Sequence, residues 1–164
     1  MAVALLVVGA VISAYSAYKK GQAEKASYNA AAKANAYNAQ ALEQNATQRL
    51  REANANEEAQ RRESRQILGA QRAAIAESGA GTGGTYGGVL RDSSALAELD
   101  ALNIRYRGRT EATGLLNQST LERYYGKSNK MNAKSAMTAG HLNAASALAS
   151  GASSAYGAYK TPRG

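Results

Sequence analysis

The sequence predicts an all-α protein: extended long helices joined by a Gly-rich hinge, dependent on an oligomer rather than closed into a compact globule. Two observations carry this. Pro162 is the only proline, so no helix breaker interrupts a chain rich in Ala, Gln, Glu, Arg and Asn. Large aliphatics are scarce: 14 Leu, 4 Ile, 5 Val and no Phe make 23 of 164 residues. That is about 14%, below the roughly 20% expected of a chain that folds around its own core. The apolar fraction is therefore mostly alanine, which favours helix but buries little area, so long helices must gain stability from neighbours.

Residues 1–18 form an apolar head without charge, followed at once by Lys19 and Lys20. A cleaved secretory signal places its positive charge before the apolar run, the opposite order. Eighteen helical residues rise about 27 Å, the short end of what a hydrocarbon core needs. Val3, Leu5, Leu6, Val7, Val8, Val11 and Ile12 are the candidate membrane-inserting side chains. Tyr15, Tyr18, Lys19 and Lys20 stand where an interfacial belt and headgroup contacts would lie. Gly9, Ser13 and Ala17 recur every fourth residue, a spacing that lets helices approach closely. The alternative is a helix buried in a protein assembly.

Residues 19–78 form a long polar, Ala-rich helix. Its seam is weak: Leu42, Ala46, Leu50 and Ala53 are interrupted by Glu57, Gln60 and Ser64. Acids interleave with Arg49, Arg51, Arg61, Arg62 and Arg65, so pairing along the helix is the expected fate of this basic stretch.

Residues 79–91, GAGTGGTYGGVLR, predict a hinge, with Gly79, Gly81, Gly83, Gly84, Gly87 and Gly88 as its glycines. Gly79, Gly81 and Gly84 formally match G-x-G-x-x-G. The segment before them reads as helix, and no βαβ pattern surrounds them, so a dinucleotide site is not expected. Residues 92–126 form a second helical arm. Asp92, Ser93 or Ser94 would cap it, and Leu96, Leu99, Leu102 and Tyr106 supply one face. Gly126 would end it. Residues 127–164 are a tail, with three lysines within 127–134 and then a small-residue stretch over 135–159 that is uncharged with His141 neutral.

Catalysis finds no footing. His141 is the sole histidine, cysteine is absent, and the carboxylates lie scattered along helix surfaces. No enzyme activity, metal or cofactor is expected. The net charge of +8 suits an anionic partner, nucleic acid or membrane surface. Arg105, Arg107 and Arg109, in IRYRGR, are less neutralised than the Arg49–Arg65 stretch and are the candidate phosphate contacts.

Two stretches, RRESRQILGAQRAAIAESG and SALAELDALNIRYRGRTEATG, carry a resemblance over about residues 61–114. Gly69, Gln71, Arg72, Ala73, Ala74, Ser78 and Gly79 carry it before the loop. Glu98, Leu99, Asp100, Ala101, Leu102, Ile104 and Arg105 carry it after. The chain resembles the internal virion proteins of short-tailed phages, and more narrowly the smallest internal core protein of podoviruses of the Teseptimavirus type. The loop itself departs from that pattern in being nearly all Gly, Thr and Tyr. The resemblance implies a homo-oligomer packed inside the capsid near the portal, with larger internal virion proteins as neighbours. It further implies release at infection, entry into the host outer membrane, and a share in the DNA-ejection conduit. Two other readings remain open here: a purely structural portal-adjacent virion protein, and a basic head protein contacting viral DNA.

Overall fold

The computed structural model describes residues 2–79 and 84–160, with the side chains of residues 2–6 left out of the description. Two helices account for nearly all of it: α1, Ala2–Glu77, and α2, Gly84–Lys160. No strand occurs among the described residues. The all-α expectation of two long helical arms therefore holds.

The hinge is narrower than predicted. The backbone leaves α1 at Ser78 and Gly79, where Ser78 N–H donates to Ala74 O (3.1 Å) and Gly79 N–H to Ala76 O (3.2 Å). Gly79 has φ +68°, the left-handed conformation that closes helix C-termini without a Cβ penalty. Gly84 has φ +65° and opens α2. Gly87 and Gly88 lie within α2 rather than in the hinge, and Gly81 and Gly83 fall outside the described residues. Asp92, Ser93 and Ser94 are helical and cap nothing. Gly126 does not end the arm. It sits in mid-helix, buried where a Cβ would stand 3.4 Å from Ala32 O and 3.6 Å from Asn35 Cβ. At Gly126 the cost of glycine in a helix, about 1 kcal/mol, is outweighed by this close packing against α1.

The chain divides into two compact units: unit 1, Met1–Asn38 with Leu121–Gly164, and unit 2, Ala39–Thr120. In unit 2, segments of α1 and α2 pack antiparallel. Gly108 faces Ala53, Arg105 reaches Glu57, and Arg61 reaches Glu98. In unit 1, the other segments also pack antiparallel, with Gly21 against Gly140 and Ala32 against Gly126.

Small residues make both seams. On α1, Ala32, Ala39, Ala46 and Ala53 are buried at seven-residue intervals. On α2 the buried series Ala112, Ser119, Gly126, Ala133 and Gly140 has the same period. Seven-residue spacing keeps a stripe facing its partner helix, as in a coiled coil, and small side chains let the backbones approach closely. At Gly21 an added Cβ would lie 2.8 Å from Gly140 Cα, and at Gly108 one would fall on Ala53 Cβ. The predicted Leu42–Ala46–Leu50–Ala53 seam is thus half right. Its alanines are buried, whereas Leu42 is half-buried and Leu50 exposed. Among the described residues every buried hydrophobic residue is an alanine.

A uniform small-residue stripe packs almost as well after a slip of seven residues, so polar layers must set the register. In unit 2, Ser119 Oγ donates to Glu43 Oε1 (2.9 Å), and the buried Glu57 accepts from Arg61 Nη2 (3.0 Å) with Arg105 Nη1 at 3.6 Å. Hydrogen bonds to Glu98, then to Glu57, raise the Arg61 pKa above its ordinary value. In unit 1, Asn129 Nδ2 donates to Asn35 Oδ1 (3.0 Å), and Asn35 Nδ2 donates to Glu122. A slipped pairing would leave these groups without partners at the seam.

Candidate functional site

The head belongs to α1 and to unit 1. Helical periodicity sorts its residues by size. Ala14 is buried and Ala10 and Ala17 are half-buried, while Val7, Val8, Val11, Ile12 and Tyr15 are 47–62% exposed. Small residues therefore pack inward and large apolar ones face out. The side chains of Val3, Leu5 and Leu6 lie outside the described residues. Of the predicted Gly9–Ser13–Ala17 stripe, Gly9 and Ser13 are exposed. The inward line is instead Ala10, Ala14, Ala17 and Gly21. A Cβ at Gly9 would meet nothing within 4 Å.

The four candidate interface residues follow directly. Tyr18 is half-buried, its ring tilted against His141 at 5.5 Å between centroids. Lys19 Nζ stands 5.6 Å from the Tyr15 ring centroid, within cation–π range. Lys20 is exposed. Among the described residues no helix is long and apolar enough to cross a membrane.

The tail segment paired with the head is also uncharged over 135–159. It exposes Leu142, Leu148, Tyr156 and Tyr159. Two of its five serines back-bond to the helix, Ser150 Oγ donating to Ala147 O and Ser153 Oγ to Ser150 O. Such back-bonding lowers the cost of carrying hydroxyls into an apolar setting.

The three candidate phosphate-contacting arginines do not share one face. Arg105 is half-buried and turned to Glu57. Arg107 is exposed along an open groove shared with Gln60, Asp100, Asn103 and Ile104, and Arg109 is exposed. Of the five arginines of the basic stretch of α1, Arg49, Arg61 and Arg62 pair along the helix with Glu52, Glu57 and Glu58, while Arg65 Nε donates to Arg61 O. Arg49–Glu111 and Arg61–Glu98 add pairs across to α2. Among the described residues no group of three or more His, Cys, Asp or Glu could hold a metal ion.

Sequence reasoning missed one large apolar surface. Leu96, Leu99, Leu102 and Tyr106 were expected to supply a packing face, yet in unit 2 they are 38–70% exposed. The partner segment of α1 is met instead by Ala101, Gly108 and Ala112. Glycine and alanine win the seam because close approach brings more backbone into contact, and the leucines are left facing outward.

Comparison with known proteins gives a family match. The family model described as the T7 virus internal virion protein gp14 family matches residues 1–164. No curated protein and no solved structure matches the chain.

Proposed function

The chain belongs to the T7 virus internal virion protein gp14 family, and from that footing we propose that it is an ejection protein, packed near the portal inside the capsid and released at infection into the host envelope. There it helps form the conduit for DNA, together with further copies of itself and larger internal virion proteins. Internal virion protein is the family's own description; the release, the insertion and the partners are the proposal.

The observation that carries it is the division of apolar residues. The buried hydrophobic residues are alanines, while Val7, Val8, Val11, Ile12 and the Leu96–Leu99–Leu102 face are exposed. Contiguous exposed apolar surface marks sites that meet a protein or a membrane. Two such surfaces on one chain fit a protein with two environments. The leucine face packs against neighbouring subunits. The head is covered by neighbours in the particle and by lipid after release. In lipid, Tyr15, Tyr18, Lys19 and Lys20 come to the interface, where aromatic rings and lysines are favoured.

The test is vesicle flotation and dye release with full-length protein and with the double variant Val11→Asp, Ile12→Asp. Both positions are exposed, so the fold is expected to persist. Loss of flotation and leakage in the variant, with helical content unchanged, is the expected result. Equal activity of both forms would remove the head from the mechanism, and no vesicle binding by either would leave only a structural role in the particle.

A further inference from the structure

The net charge of +8 is confined to one unit. Unit 2 holds ten arginines and ten acids, and no lysine. Unit 1 holds all eight lysines with Arg123 and Arg163, against only Glu24 and Glu122. The two sets of cations also behave differently. Unit 2 arginines enter ion pairs with Glu52, Glu57, Glu58, Glu98 and Glu111. The eight lysines are all exposed, and among the described residues none pairs with a carboxylate.

Their placement within unit 1 is equally uneven. Lys19, Lys20, Lys25 and Lys33 lie on α1, and Lys127, Lys130 and Lys134 on α2. The Gly21–Gly140 and Ala32–Gly126 contacts of the antiparallel pair set Lys127, Lys130 and Lys134 level with the Lys25–Lys33 stretch, and Lys19 and Lys20 level with Gly140. Together they form a collar of lysines along this part of the pair. Beyond it run residues 1–18 and 142–159, which carry no Lys, Arg, Asp or Glu, with Lys160 at the far end of α2.

We propose that this lysine collar docks the protein on anionic lipid headgroups, setting the depth to which the uncharged ends beyond it enter the bilayer. The inference rests on the membrane reading above and adds the lipid class to it. Lysine chemistry favours a lipid surface over nucleic acid. Its long flexible stem lies along apolar surface while the ammonium stays at the headgroups. Arginine, the better fork for fixed phosphates, is concentrated instead in the unit where acids match it one for one. An exposed Val, Ile and Tyr surface beside the collar has no use in a purely electrostatic DNA contact.

Each lysine near an anionic surface strengthens binding about fivefold. The experiment is flotation of the full-length protein with phosphatidylcholine vesicles and with vesicles that also contain phosphatidylglycerol. Wild type is compared with the triple variant Lys127→Gln, Lys130→Gln, Lys134→Gln and with the independent α1 variant Lys25→Gln, Lys33→Gln. The expected result is tighter binding to the anionic vesicles, reduced by salt. The triple variant should lose about a hundredfold of it, and binding to neutral vesicles should be unchanged. Equal binding to both vesicles, or no effect of either lysine variant, would overturn the collar while leaving head insertion standing. Binding to neither vesicle would overturn both readings. Lysine-dependent binding to duplex DNA without preference for anionic vesicles would overturn the collar in favour of nucleic acid.

Discussion

Gly21 and Gly114 are both helical glycines, yet their surroundings demand opposite outcomes on substitution. At Gly21 a Cβ would stand 2.8 Å from Gly140 Cα and 3.0 Å from Ala136 O, both backbone atoms that cannot rotate away. Gly21→Ala must push the helices of unit 1 apart, at a cost of about 1–3 kcal/mol. At Gly114 nothing lies within 4 Å. Gly114→Ala should gain the difference in helix propensity, about 1 kcal/mol. Denaturant unfolding of the two variants beside wild type checks the pair: a lowered midpoint for the first and a raised one for the second. The sequence marked both residues only as glycine, and nothing local distinguishes them. The difference is a long-range one, set by which α2 residue arrives opposite.

At the scale of elements, the two helices were legible because an alanine-rich chain with its one proline at residue 162 has little else to form. The seam was harder to read. Large apolar residues ordinarily mark the buried face, so Leu42 and Leu50, and later Leu96, Leu99 and Leu102, drew the prediction. The structure buries Ala39, Ala46, Ala53, Ala101 and Ala112 instead. In a chain with alanine at nearly every helical phase, the seven-residue series does not stand out from the rest. The glycine run misled for a related reason. Helix propensity predicts a break through Gly88, whereas α2 already starts at Gly84, its buried Gly87 following three residues later. The exposed leucines carry a prediction of their own. If the leucine face packs copies together as proposed, Leu96→Glu with Leu99→Glu, at positions 61% and 53% exposed, should leave helical circular dichroism intact and lower the mass read by light scattering. An unchanged mass would remove that face from the proposal. The candidate site was legible to a similar degree. The head's outward Val7, Val8, Val11 and Ile12 were named from the sequence, while the pairing of Arg105 with Glu57 needed the second helix in place.

For the whole molecule, the consequence of an all-alanine set of buried hydrophobic residues is calorimetric. Heat capacity rises on unfolding mainly because apolar surface becomes hydrated, by about 12–15 cal/mol/K per residue in ordinary domains. Here the large side chains are mostly in water before unfolding begins: among the described residues 24 of them are exposed. Dilute protein should therefore unfold with a heat-capacity increment well below that range and a shallow dependence on denaturant. Its stability curve should be broad, with weak curvature. Assembly should restore the missing increment, since burying the leucine face or the head removes that surface from water. The heat-capacity signature of a folding core, displaced from the monomer, would then appear in the act of association.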